Sequence, residues 1–115
     1  MLINFSNHPS SDWGKLQLEN AISKYGEIND IEFPSVSPEF TELQITDLAQ
    51  KYVRIILNLR PAAVHIMGEM NFTHKCVYLL KLYGITCLAS TSERNAIEED
   101  GTKLSKFRFI QFREY

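Results

Sequence analysis

The sequence is poor in the residues that usually announce a mechanism. Cys76 and Cys87 are its only cysteines in 115 residues. They are not spaced as CxxC and have no His/Cys cluster around them, which argues against a disulfide framework or a zinc site. They read as two buried thiols in a reducing cytoplasm. There is no GxGxxG, no GxxxxGK[ST] and no HExxH, so the dinucleotide, P-loop and zinc-protease readings lack support. No Ser/His/Asp set is recognisable by spacing. No metal site and no cofactor is expected. No apolar run approaches the ~20 residues of a membrane span. The start, MLINFSNHP, lacks a basic region followed by a long apolar run. The expected location is the cytoplasm, with no membrane partner. Charge of one sign is also missing. Twelve Lys and Arg stand against 14 Asp and Glu, for a net charge of −2 and a pI of about 5.9. That balance argues against a protein that coats DNA or RNA. It leaves room for a small anion in one local pocket.

What is present is the composition of an ordinary globular protein, 44% hydrophobic and 23% charged. The length suits one domain over residues 1–115. Leu2 to Phe5 is a short apolar run that ends in the turn-forming cluster Ser6 to Ser11, which predicts a central strand and a polar loop. Ser10, Ser11 or Asp12 can cap the helix that follows. Leu18, Ala21, Ile22 and Tyr25 form its buried face, and Gly26 ends it. Glu27 to Phe33 alternates like a strand near a sheet edge. Thr41 and Gln44 have capping-box spacing. A long apolar stripe from Ile45 to Leu59 follows, and Pro61 stops it.

Ala62 to Met67 reads as a buried strand, Gly68 as a sharp turn, and Asn71 or Thr73 as the start of a third helix ending at Gly84. Gly68 reads as required for its backbone conformation. Ile85 to Ala89 is a fourth strand, ending in the polar cluster Ser90 to Asn95. A turn signal at Asp100-Gly101 and a strand from Lys106 to Tyr115 suggest a hairpin-like return. The expected fold class is α/β: a Rossmann-like or flavodoxin-like three-layer sandwich. Its sheet is mostly parallel, in the order 2-1-3-4, with a C-terminal antiparallel strand.

In such a sheet ligands bind beyond the carboxyl ends of the strands, where the strand order reverses. Three polar segments are expected to converge there: Ser6 to Ser11, Gly68 to Thr73, and Ser90 to Asn95. Helices starting near Ser11 and Asn71 would aim free N–H groups at the same gap. His8 is the candidate acid–base group. His65, mid-strand, reads as a core residue. Arg94 is a candidate phosphate clamp, and Glu69 a candidate carboxylate.

With NFSNHPS at the first strand and loop, VHIMGEMNFT at the third, and ASTSER before a terminal FRFIQFREY, the chain resembles small single-domain CRISPR-accessory proteins. That group is similar to CARF (CRISPR-associated Rossmann fold) domains and includes ring nucleases. The resemblance implies a homodimer that holds a cyclic oligoadenylate across its two-fold axis, with no DNA partner. It implies ligand-binding roles for Asn7, His8, Ser10 and Ser11, for Gly68, Glu69, Asn71 and Thr73, and for Thr91, Ser92 and Arg94. Cleavage would need no metal, since the ribose 2′-OH attacks the adjacent phosphate and His8 serves as acid–base group. The basic ligand loop common in larger CARF domains is missing, which leaves more of the binding to backbone N–H groups. Two other classes fit the residues: an enzyme acting on a free nucleotide or nucleoside through Glu69, and a non-catalytic interaction subunit.

Overall fold

The computed structural model describes residues 1–115. Strands and helices alternate as β1 (Leu2–Ser6), α1 (Lys15–Tyr25), β2 (Ile28–Asp30), α2 (Glu42–Leu59), β3 (Ala63–Met67), α3 (Met70–Leu82), β4 (Thr86–Glu99) and β5 (Thr102–Glu114). A 3-10 turn at Ser10–Asp12 precedes α1. The five strands form one mixed α/β sheet in the order β2-β1-β3-β4-β5. The first four are parallel and β5 runs antiparallel to β4. The expected order 2-1-3-4 and the antiparallel last strand are both present.

Side chains alternate across the sheet, and each face has its own helices. Ile3 and Phe5 of β1, Val64 and Ile66 of β3, and Cys87 of β4 pack with α2 and α3 through Ala49, Val53, Ile56, Phe72, Cys76 and Leu80. Leu2, Ala63 and Leu88 point the other way and meet Trp13 and Ala21. Covering on both faces explains why β1 and most of β3 are buried along their length. The capping box forms as read: Gln44 N–H donates to Thr41 Oγ1 at 3.2 Å, and Thr41 N–H to Gln44 Oε1 at 2.8 Å.

Four local expectations are corrected. First, the second strand stops at Asp30 rather than Phe33. Ile31 N–H donates to Asn4 O at 2.9 Å, and the chain then crosses the carboxyl edge of the sheet. Phe33 stacks into the aromatic cluster, with ring centroids 5.0 Å from Phe5 and 5.3 Å from Phe72. Burying the ring outweighs continuing an exposed edge ladder. Second, α1 is capped by Gly14, not by Ser10, Ser11 or Asp12. Ser10 is held instead by Asp30, and Trp13 must be buried before the helix begins.

Third, Ser90 to Asn95 is strand, not loop. β4 continues to Glu99 and pairs with β5 as far as Glu99 opposite Thr102, with a bulge between Thr91 and Ser92. Asp100 (φ 50°) and Gly101 (φ 74°) form the two-residue turn, where two positive φ values match the strand twist. Beyond the bulge the hairpin leaves the body and most of its residues are exposed. Polar residues there reflect solvation of both faces, which is why this stretch resembles a loop in sequence.

Fourth, Gly68 does not have a left-handed backbone. It is glycine because the Phe33 ring lies on it: a Cβ would sit 2.2 Å from Phe33 Cζ and 2.4 Å from Cε1. The ring is pinned by Phe5 and Phe72 and cannot give way freely. Gly68→Ala is therefore expected to destabilise the fold by about 1–3 kcal/mol. Most of that cost should vanish when Phe33 is also Ala, a coupling that a double-mutant cycle in urea would read. Additive losses would show that Phe33 is not what excludes the methyl group.

Candidate functional site

The carboxyl ends of β1, β3 and β4 carry a line of polar side chains on the α1 face. Asn4 (1% exposed) and His65 (2% exposed) are buried within it. Asn4 Nδ2 donates to Asp30 Oδ1 at 2.7 Å and to His8 O at 2.9 Å. Both partners only accept, so the amide orientation is fixed. Asn4 Oδ1 therefore faces the other side, where it accepts from Ser6 Oγ at 2.8 Å and stands 2.9 Å from His65 Nδ1. A carbonyl oxygen cannot donate, so Nδ1 carries the proton. In the neutral ring Nε2 is then an acceptor, and it lies 3.1 Å from Ser90 Oγ.

Burial, with the nearby His8 as a lesser cause, pushes the His65 pKa down to about 4. The ring is neutral near pH 7. It is also enclosed, with Trp13 edge-on at 5.2 Å and Phe112 at 5.6 Å. Ser90 Oγ has one hydrogen and two possible acceptors, His65 Nε2 and Met67 Sδ, each 3.1 Å away. The imidazole nitrogen is the stronger acceptor and takes it. Ser90 N–H also points at Met67 Sδ, at 3.3 Å.

Asp30 organises the first loop. Its Oδ1 accepts from Ser10 N–H at 3.0 Å and its Oδ2 from Ser10 Oγ at 2.5 Å. Partial burial pushes the carboxyl up, but the bonds from the Ser10 hydroxyl, the Asn4 amide and the Ser10 N–H together outweigh it. The pKa is held below the ordinary value. Beside this carboxylate lies an open pocket of about 570 Å³, lined by Asn4, Ser6, Asn7, Pro9 and Asp30 to Phe33. Two smaller depressions, about 330 Å³ between α2 and α3 and about 170 Å³ near Lys81 and Tyr115, hold no comparable polar cluster.

The expected site residues separate into groups. Asn7, His8, Ser10 and Ser11 remain at the carboxyl edge and are accessible. His8 contributes through its backbone, whose carbonyl accepts from Asn4 and Trp13. Its exposed side chain forms no hydrogen bond. Gly68 lies beneath Phe33, so the crevice between β1 and β3 is filled and the pocket opens on the β1–β2 side. Glu69 caps its own helix, accepting from Asn71 N–H at 2.6 Å and Phe72 N–H at 3.2 Å. The α3 terminus thus already has an internal anion. Thr73 is buried, with a hydroxyl that has no protein partner.

Thr91, Ser92 and Arg94 lie on the hairpin rather than in a loop at the pocket. Thr91 Oγ1 donates to Gln111 O at 3.2 Å. Arg94 donates to Ser105 Oγ at 3.0 and 3.2 Å and covers the Phe107 ring. Asn4, Asp30 and His65 were not singled out as site residues from sequence, and Ser90 entered only as the first residue of its polar segment. The available signal was one asparagine and one histidine interrupting otherwise apolar strands. No group of three or more His, Cys, Asp or Glu side chains is placed to hold a metal ion, and no helix is long and apolar enough to cross a membrane.

The family described as the uncharacterized protein MJ1673 family matches residues 1–113. The chain belongs to the MJ1673 family. No curated protein and no solved structure matches it.

His65 ties that geometry to pH. Its folded pKa, about 4, lies below the ordinary 6.5. The unfolded chain binds the extra proton first as pH falls, so this contribution is complete above pH 6.5 and is lost on descending to about 4. The total is on the order of 3 kcal/mol. Urea unfolding at pH 7.5 and 4.5 should show that loss, and His65→Gln should remove this part of the slope. Equal slopes for the two proteins would mean that His65 is not held neutral.

Proposed function

We propose that this chain is a Rossmann-like nucleotide binder that takes a cyclic oligoadenylate, cyclic tetra-adenylate in the first instance, across a homodimer cleft. It would degrade or sequester that messenger and so switch off type III CRISPR signalling in the cytoplasm. The observation that carries the reading is Asp30. A carboxylate at the carboxyl end of the second strand, beside the loop after the first, is where nucleotide-binding sheets bond ribose hydroxyls. The pocket beside it, about 570 Å³, falls within the range of small-molecule sites. The resemblance in NFSNHPS and VHIMGEMNFT supplies the class of nucleotide.

The geometry shifts emphasis within that reading. Asp30 and Glu69 already occupy donor groups of the two loops, so ribose hydroxyls and bases suit the pocket better than a phosphate buried among N–H groups. Asn7, His8 and Ser11 are free to contact the ligand. The competing enzyme acting through Glu69 is less well supported, because that carboxylate caps α3 and does not line the pocket. The hairpin presents Leu104, Phe107 and Ile110 to solvent, apolar area that a second copy could cover.

Labelled cyclic tetra-adenylate should shift with micromolar protein in a native gel. Asp30→Asn, which keeps an acceptor but loses the charge, should weaken binding by about tenfold. Absence of both a shift and a linear product would sink the proposal.

A further inference from the structure

His65 is 2% exposed and cannot touch a substrate itself. Its Nε2 is nevertheless a free base, because Asn4 holds the proton on the other nitrogen. Its one polar contact at Nε2 is Ser90 Oγ, on a partly exposed residue at the carboxyl edge of the sheet. A hydroxyl bonded to an imidazole nitrogen, with the second nitrogen bonded to a fixed amide oxygen, has the order of groups that activates a serine nucleophile. The three residues come from β1, β3 and β4, so no sequence spacing reveals them.

The second observation is independent of the histidine. Ser90 N–H points at one soft atom, Met67 Sδ, at 3.3 Å, and that sulfur also stands 3.1 Å from Ser90 Oγ. A thioether is a weak acceptor. Met67 is 37% exposed and unbranched, so it can move aside. An anionic oxygen seated where the sulfur now lies would accept from Ser90 N–H as developing charge requires.

We infer that Ser90 is a catalytic nucleophile for phosphoryl esters, with His65 as the base behind it, Asn4 as the positioning residue, and Met67 as a displaceable stopper. Only the substrate class, a phosphodiester, rests on the functional reading above. Ser90 Oγ bonds to phosphorus while its proton passes to His65 Nε2. The phosphorus bond to the leaving alkoxide breaks, and that oxygen takes the proton back from His65. Water then attacks the phosphoserine diester, gives a proton to His65, and Ser90 Oγ recovers it as its bond to phosphorus breaks.

A fluorophosphonate probe tests this without any nucleotide. Attack forms the Oγ–P bond and expels fluoride, and peptide mass spectrometry reads the adduct. The expected result is labelling of wild-type protein at Ser90, none there in Ser90→Ala, and several-fold faster labelling in Met67→Ala. His65→Gln should slow it by about a hundredfold, with circular dichroism checking its fold. Should that variant not fold, wild-type protein in urea takes its place, and labelling of Ser90 must disappear there. No adduct at Ser90 in either wild type or Met67→Ala would overturn the inference. So would undiminished labelling in folded His65→Gln or in urea. Failure to bind cyclic tetra-adenylate would leave the labelling result intact, so the two proposals fail separately.

Discussion

The Asn4 side chain uses its whole hydrogen-bonding capacity. Its two N–H groups go to His8 O and Asp30, and its oxygen takes Ser6 and His65. One buried amide thereby joins the first loop, the end of β2 and the middle of β3. It sets the tautomer of His65 and, through it, the direction of the Ser90 hydrogen. A neutral amide does this without the desolvation that a second buried charge would incur. Asp30, the only charge in direct contact, sits at the exposed end of the line. The polar line is tolerable inside the α1 face because each member is satisfied.

The two faces of the sheet have different tasks. The α2/α3 face is an apolar core, in which the Phe5 and Phe72 rings lie within 5.0–6.0 Å of each other and of both Phe33 and Tyr52. Stability resides mainly there. The α1 face is smaller, with five buried apolar residues against thirteen, and has room for the polar line beneath Trp13 and Phe112. Burial also pushes the pKa of Cys76 up to about 12 and that of Cys87 to about 11, which keeps both thiols protonated and inert in the core.

Much of this was legible in the sequence where a local signal has one physical solution. The Thr41–Gln44 box, the Asp100-Gly101 turn and the apolar run of β1 belong to that kind. The early end of β2 was not, because alternation in Ile31, Glu32 and Phe33 suits a strand and a strap equally. Only the three-dimensional position of Phe5 and Phe72 decides between them. The polar run from Ser90 to Asn95 misled for a similar reason: a ribbon exposed on both faces has no apolar period. His65 was legible as buried, but its partners lie 61 and 25 positions away, and pairing across parallel strands leaves no spacing to read.

β5 is the outer strand of the sheet and is 13 residues long. Such a border, with its ladder groups open on one side, invites another chain to add itself as a sixth strand. Here it carries Lys103, Lys106, Arg108 and Arg113. Two copies brought border to border would set these cations against each other. The charges act as gatekeepers against runaway sheet growth.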